Sequence, residues 1–268
     1  MTKLSLSLAW DETKAILARD GNLLGTVALA LVVLPQAIFG AYFAQGAQVT
    51  AVAQAAGLIV ILIGLAAQLA LNRLAIGPSI TVGAAIGRGV ARVWASLAAF
   101  LIVILIMSFI FLPIAMLLVS VGVLEEAAIT GSMPPPQLVG IFVIYFIFVF
   151  AVFQLIVPVS AAEHGGPLHI LARSWKLGIS QYWRMFVFLM FVLIGLVVVW
   201  LTGQLLAGIF ASVALGEPRE GSLSLALLSL VVAAAQGAYT MVSSVMLARI
   251  YAQVGGGAAQ ASVPRSGT

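Results

Sequence analysis

The sequence predicts an all-α fold, a polytopic membrane helical bundle with six transmembrane helices. Two observations carry this. Of 268 residues, 63% are hydrophobic and 7% carry charge, whereas an average soluble chain is roughly a quarter charged, so there is too little polar surface to cover a water-exposed globule. Six stretches, residues 23–45, 51–71, 95–121, 138–160, 186–212 and 223–248, also contain no charged residue and reach the ~20 apolar residues that cross a bilayer. A soluble enzyme is excluded on these grounds. The absence of cysteine removes disulfides, thiolate nucleophiles and Cys-ligated metals.

The first span follows a segment holding Asp11, Glu12 and Asp20, which is too acidic for a signal peptide. Its apolar run is also longer than an h-region, so an uncleaved helix is expected. The second span ends on Asn72-Arg73. Before the third, Gly77-Pro78 opens a segment that runs to Trp94. Met133-Pro134-Pro135-Pro136 cannot continue a helix and stiffens the approach to the fourth span. Gly166-Pro167 opens a further helix ahead of the fifth, since proline fits a first helical turn. The sixth ends at Arg249, and residues 253–268, with Gly255-Gly256-Gly257, read as a disordered tail after a single membrane domain over 1–252. Pro35, Pro113 and Pro158 are expected to kink or end their helices.

The positive-inside rule sets orientation. With both termini cytoplasmic, the inner segments hold Lys3, Lys14, Arg19, Arg73, Arg88, Arg92, Arg173, Lys176, Arg184, Arg249 and Arg265 with Asp11, Glu12, Asp20 and Glu163, a net +7. The outer loops hold Arg219 with Glu125, Glu126, Glu217 and Glu220, a net −3. An odd number of spans destroys this separation.

A repeat runs through the chain. At an offset of 89, Gly77-Pro78 matches Gly166-Pro167, Gly89 matches Gly178, and Trp94 matches Trp183. A fainter copy at Trp10, and the offset of 176 between Arg73 and Arg249, extend this to three parallel units over 1–73, 77–160 and 166–250. Each unit reads as a cytoplasmic interfacial helix followed by a transmembrane hairpin. In the interfacial helices Arg88 and Arg92 share a face, as do Arg173 and Lys176, and Arg184 follows in an aromatic belt with Tyr182 and Trp183. These five cations are either ordinary positive-inside anchors or a set that binds anionic phospholipid headgroups.

The spans hold no ionisable residue at mid-membrane, where proton relays and ion pumps carry one. Gln154, Gln204, Gln236, Thr240 and Ser244 remain, either as interhelical glue or as a polar pathway. Glu163, His164 and His169 lie close in sequence, but Gly165-Gly166-Pro167 separates the histidines and no second carboxylate is near. Incidental loop polarity is expected there, with no metal and no cofactor. Nucleotide and hydrolase motifs are absent, and no nucleic-acid partner is expected.

The leading Trp10 helix, Leu34-Pro35, the Pro78 to Trp94 segment and Gly166-Pro167 followed by Ala172-Arg173-Ser174-Trp175-Lys176-Leu177 resemble the membrane domain associated with glycerophosphodiester phosphodiesterases. The resemblance covers nearly the whole chain on short, degenerate motifs. It implies a bacterial inner-membrane protein without the separate soluble barrel that performs hydrolysis, hence no enzyme activity. The expected role is a scaffold or lipid-organising module, with membrane lipids and other membrane proteins as partners. The alternative is a transporter or flippase-like carrier of a neutral or amphiphilic solute.

Overall fold

A computed structural model of the chain describes residues 4–44, 50–77, 80–122, 136–215 and 222–259. All regular structure among them is helical. Ser5 caps α1 (Leu6–Ala28), its hydroxyl accepting the Leu8 amide. A π-helical turn at Leu29–Val33 joins α1 to α2 (Leu34–Ala44). This turn sits just before Pro35, whose ring crowds the preceding carbonyls, and the wider π geometry lets the helix continue past it. Thr50 caps α3 (Ala51–Ile76) and Thr81 caps α4 (Val82–Ser120), each through its hydroxyl. α5 (Pro136–Phe153), α6 (Ile156–Ala162), α7 (Pro167–Ser180), α8 (Tyr182–Leu215) and α9 (Leu223–Ala259) complete the chain.

Six helical stretches among the described residues are long and apolar enough to cross a membrane. They are Leu6–Tyr42, Ala51–Ile76, Val82–Ser120, Pro136–Ala162, Tyr182–Leu206 and Leu223–Gly255. The distribution of side-chain sizes fits a lipid-facing bundle. Its core uses small residues such as Ala67, Ala70, Ala85, Ala99 and Ala248, while Leu105 and Phe109 on α4 stand 70% and 79% exposed. An exposed apolar girdle of this kind is stable only in lipid. The protein is an integral, multi-pass membrane protein.

Three elements differ from the sequence expectation. Of the predicted interfacial helices, only α7 stands alone, opened by Gly166-Pro167 as expected and ended at Gln181. The segment before Trp94 is continuous with the third span, because residues 94–100 contain no glycine or proline to interrupt α4. At 39 residues and 1.5 Å per residue, α4 reaches about 58 Å, about twice the hydrocarbon thickness. The N-terminal segment is likewise continuous with the first span. Thirdly, α9 passes through the glycine run to Ala259, held there by Gly255 packed on Tyr251 and by Gln253, which accepts the Ser5 amide at 3.1 Å. Pro78, Met133-Pro134-Pro135 and residues 260–268 of the tail lie outside the described residues.

α9 is the central element, packed on α1, α2, α3 and α8. Close helix approach depends on glycine at two crossings. A Cβ on Gly89 of α4 would lie 2.7 Å from the Ala66 carbonyl oxygen of α3, and one on Gly178 of α7 would overlap the Val152 carbonyl of α5. Gly89 and Gly178 are the residues matched by the 89-residue offset, and each sits at a close helix crossing.

Pro113 is accommodated within α4 without a break. Pro158 has the effect its chemistry predicts. It lacks the N–H that would bond the Gln154 carbonyl, and the helix is interrupted at Gln154-Leu155 before resuming as α6.

Candidate functional site

The charged residues among those described gather at one end of the bundle. The start of α1 meets the end of α9 there, through Arg249 Nε donating to Glu12 Oε2 at 2.7 Å. The beginnings of α4 and α8, the end of α3 and the α6–α7 corner complete this end.

Glu163, at the C-cap of α6, is the hub. Its carboxylate Oε1 accepts Arg173 Nε at 2.9 Å and the Tyr251 hydroxyl at 2.8 Å, and its Oε2 lies 3.2 Å from His169 Nε2. Its main-chain oxygen accepts Arg92 Nη2 at 2.7 Å, while Arg92 Nε donates to the Ser160 carbonyl at 3.2 Å. One acidic residue thus ties α4, α6, α7 and α9 together. Burial works to raise the Glu163 carboxyl, but hydrogen bonds from Arg173, Tyr251 and His169, with the Arg173 charge, outweigh it and hold the group below the usual carboxylate range. Sequence spacing read Glu163 and His169 as incidental polarity, whereas the turn at Gly165-Gly166 folds His169 back onto the carboxylate. The signal that was available is that Glu163 is the only acid between the fourth and fifth spans, residues 161–185.

Four acids are described at this end, and each has a cation. Asp11 pairs with Lys14, Asp20 with Arg19, Glu12 with Arg249 and Glu163 with Arg173. Nine described cations against four acids leave five without an acidic partner, namely Arg73, Arg88, Arg92, Lys176 and Arg184. Four of these belong to the predicted headgroup-binding set. Arg173 is engaged by Glu163, and Arg73 stands in its place. Arg92 and Arg184 are held by carbonyl oxygens, Arg184 by that of Leu4, and such neutral acceptors leave their charge uncompensated. Arg88, Lys176 and Arg184 are exposed. Trp10, Trp94, Trp175 and Trp183 are exposed at the same end, where amphipathic rings suit a headgroup boundary.

The neutral polar residues of the spans are dispersed. Gln154 is buried, its Nε2 donating to the Ala151 carbonyl freed by the helix break and to the Met185 carbonyl of α8 at 2.8 Å. Ser244 is buried on α9, and Gln204, Gln236 and Thr240 are half-buried. A lateral cavity of about 520 Å³ opens between α1, α8 and α9 beside Trp10, Phe188, Phe191, Val242 and Met246. Its polar edge is Tyr239, whose hydroxyl donates to the Val192 carbonyl, with Ser7 and Ser243. None of Gln154, Gln204, Gln236, Thr240 and Ser244 lines it. Among the described residues no group of three His, Cys, Asp or Glu side chains is placed to hold a metal ion.

No known protein family, no curated protein and no solved structure matches the chain.

Proposed function

We propose that the chain is a non-catalytic membrane module that organises lipid, its charged end contacting anionic phospholipid headgroups. The observation that carries this is the five cations left over once every described acid at that end is paired. An uncompensated cation near a membrane surface attracts anionic lipid by about 1 kcal/mol, and the four exposed tryptophans mark the level at which headgroups sit. The apolar cavity beside Trp10 offers an acyl chain a place at the same end. The likeness to the membrane domain associated with glycerophosphodiester phosphodiesterases, a bacterial inner-membrane setting and cytoplasmic termini belong to this proposal. A carrier of neutral or amphiphilic solutes has less behind it, because the polar residues suited to a pathway lie away from the cavity.

The test is the lipid that co-purifies in mild detergent. Arg88→Glu combined with Lys176→Glu changes two exposed cations that hold no part of the fold together, and is expected to weaken anionic-lipid association at least roughly thirtyfold, as the loss of about 1 kcal/mol at each of two cations implies. An unchanged anionic fraction contradicts the proposal.

A further inference from the structure

The lateral cavity between α1, α8 and α9 runs from the charged end into the apolar part of the bundle. Its walls are Phe188, Phe191 and Val192 of α8 and Tyr239, Val242 and Met246 of α9. The deep end makes no polar demand on an occupant. There the Tyr239 hydroxyl donates to the Val192 carbonyl, and Ser243 Oγ donates to the Thr240 carbonyl of its own helix at 3.1 Å. A Cβ on Gly195 would come 3.1 Å from Tyr239 Cε2, so glycine at 195 lets the ring seat against α8. With both hydroxyl donors used inside the protein, a polar solute finds little to bond, whereas an alkyl chain matches such a wall.

The mouth differs. Trp10 lines it and is exposed, as suits a ring at the headgroup boundary. Arg184 lies one turn before Phe188 on the same face of α8. Its Nη1 donates to the carbonyl of Leu4, two residues ahead of Leu6 in the cavity wall. Both acceptors of Nη1, the Leu4 carbonyl and Gln181 Oε1 at 3.4 Å, are neutral, and the side chain is exposed. Asp11 and Glu12, the acids next to Trp10, are paired with Lys14 and Arg249, and neither lines the cavity. From Arg184 to Val192 the helix rises about 12 Å, within one leaflet of a hydrocarbon core about 30 Å thick. The volume of about 520 Å³ lies in the range of small-molecule sites, roughly 300–1,000 Å³. An apolar slot with an uncompensated guanidinium at its mouth is complementary to an anionic head on an apolar tail.

We infer that this cavity seats one acyl chain of a resident anionic phospholipid whose headgroup lies on Arg184. This deepens the lipid reading and rests on it for the class of headgroup, while the seat of the chain rests on the cavity. The lateral opening leaves the second chain in the surrounding bilayer. Lipid that merely coats the bundle covers any exposed face. A resident lipid depends on the slot and on Arg184 together.

The experiment places the full chain in phosphatidylcholine vesicles doped with phosphatidylglycerol or phosphatidylcholine that carries a photoreactive group on one acyl chain. Adducts are mapped by peptide mass spectrometry. The anionic probe is expected to label the cavity walls on α8 and α9 at least about tenfold more than the neutral one, as one charge-assisted hydrogen bond implies. Arg184→Gln, which keeps a donor for the Leu4 carbonyl, is expected to bring the two probes to parity there. Val242→Trp fills the slot and is expected to remove the preference without touching Arg184, so the test stands even if Arg184→Gln fails to fold. Leu105→Trp adds the same bulk on the exposed side of α4 and is expected to leave the preference unchanged. Equal labelling of the walls by the two probes in the wild-type chain, or a preference that survives either cavity variant, overturns the seat. In that case salt-sensitive enrichment of the anionic probe over the whole chain still upholds the lipid proposal, and its absence ends both.

Discussion

Replacing Glu163 by glutamine removes one charge from the hub and changes its shape least. The carboxylate accepts from Arg173 at 2.9 Å, from Tyr251 at 2.8 Å and lies 3.2 Å from His169. An exposed ion pair contributes about 0–1 kcal/mol, whereas removing one partner of a fully buried pair costs about 3–5. With the side chains of Arg173 and Glu163 24% and 23% exposed, the loss falls between these limits. Glutamine keeps one acceptor oxygen for Arg173 and Tyr251 but loses the charge that pairs with Arg173. Its N–H₂ group faces His169 Nε2, which meets it only in the tautomer that leaves this nitrogen an acceptor. The expected loss is therefore about 2 kcal/mol, roughly a thirtyfold shift toward the unfolded state. The sign of the pH dependence follows from the depressed carboxyl of Glu163. A group more acidic in the folded than in the unfolded state stabilises above the unfolded value, about 4.3, and that contribution is lost as pH falls through the folded value. Unfolding in mild detergent titrated with a denaturing one, at pH 7 and again near pH 3, is the assay. Wild type is expected to exceed Glu163→Gln by about 2 kcal/mol at pH 7 and to approach it at the lower pH. A difference under about 0.5 kcal/mol at pH 7, or one that persists undiminished in acid, refutes the hub.

Two further perturbations probe the architecture in the same assay. Gln154→Leu leaves the Ala151 and Met185 carbonyls without their donor at a buried helix break, an expected loss of about 1–3 kcal/mol; a neutral result means that the break is satisfied in another way. Gly178→Ala and Gly87→Ala should differ in sign. A Cβ at 178 meets Val152 main-chain atoms, with the carbonyl carbon at 2.9 Å, and costs about 1–3 kcal/mol, whereas one at 87 meets nothing within 4 Å and gains up to about 1 kcal/mol of helix propensity. Equal effects would show that α7 does not seat closely on α5.

The bundle was legible in the sequence because burying charge in hydrocarbon is so unfavourable that uncharged runs announce spans directly. The offset between Gly89 and Gly178 was legible for a related reason, since close helix approach demands a small residue at each crossing. Helix continuity was not. Trp94 and Trp183 occupy matched positions, yet the chain runs straight through the first and breaks two residues before the second, and both sequences are good helix formers. The hub escaped for a different reason: Glu163 meets Arg173, Tyr251 and Arg92 across 10, 88 and 71 residues, separations that no local pattern encodes. Arg73 read as one more positive-inside anchor because the burial of its Nε arises only from packing at the end of α3.

Under the proposed function, uncompensated positive charge at one end of the bundle recruits anionic lipid. The most direct measurement is electron spin resonance of spin-labelled phosphatidylglycerol and phosphatidylcholine in neutral vesicles carrying the protein, at low and at high salt. Preferential immobilisation of the anionic label is expected at low salt, diminishing as the screening length falls from about 30 Å at 0.01 M to about 3 Å at 1 M. Equal immobilisation of the two labels at low salt would contradict it.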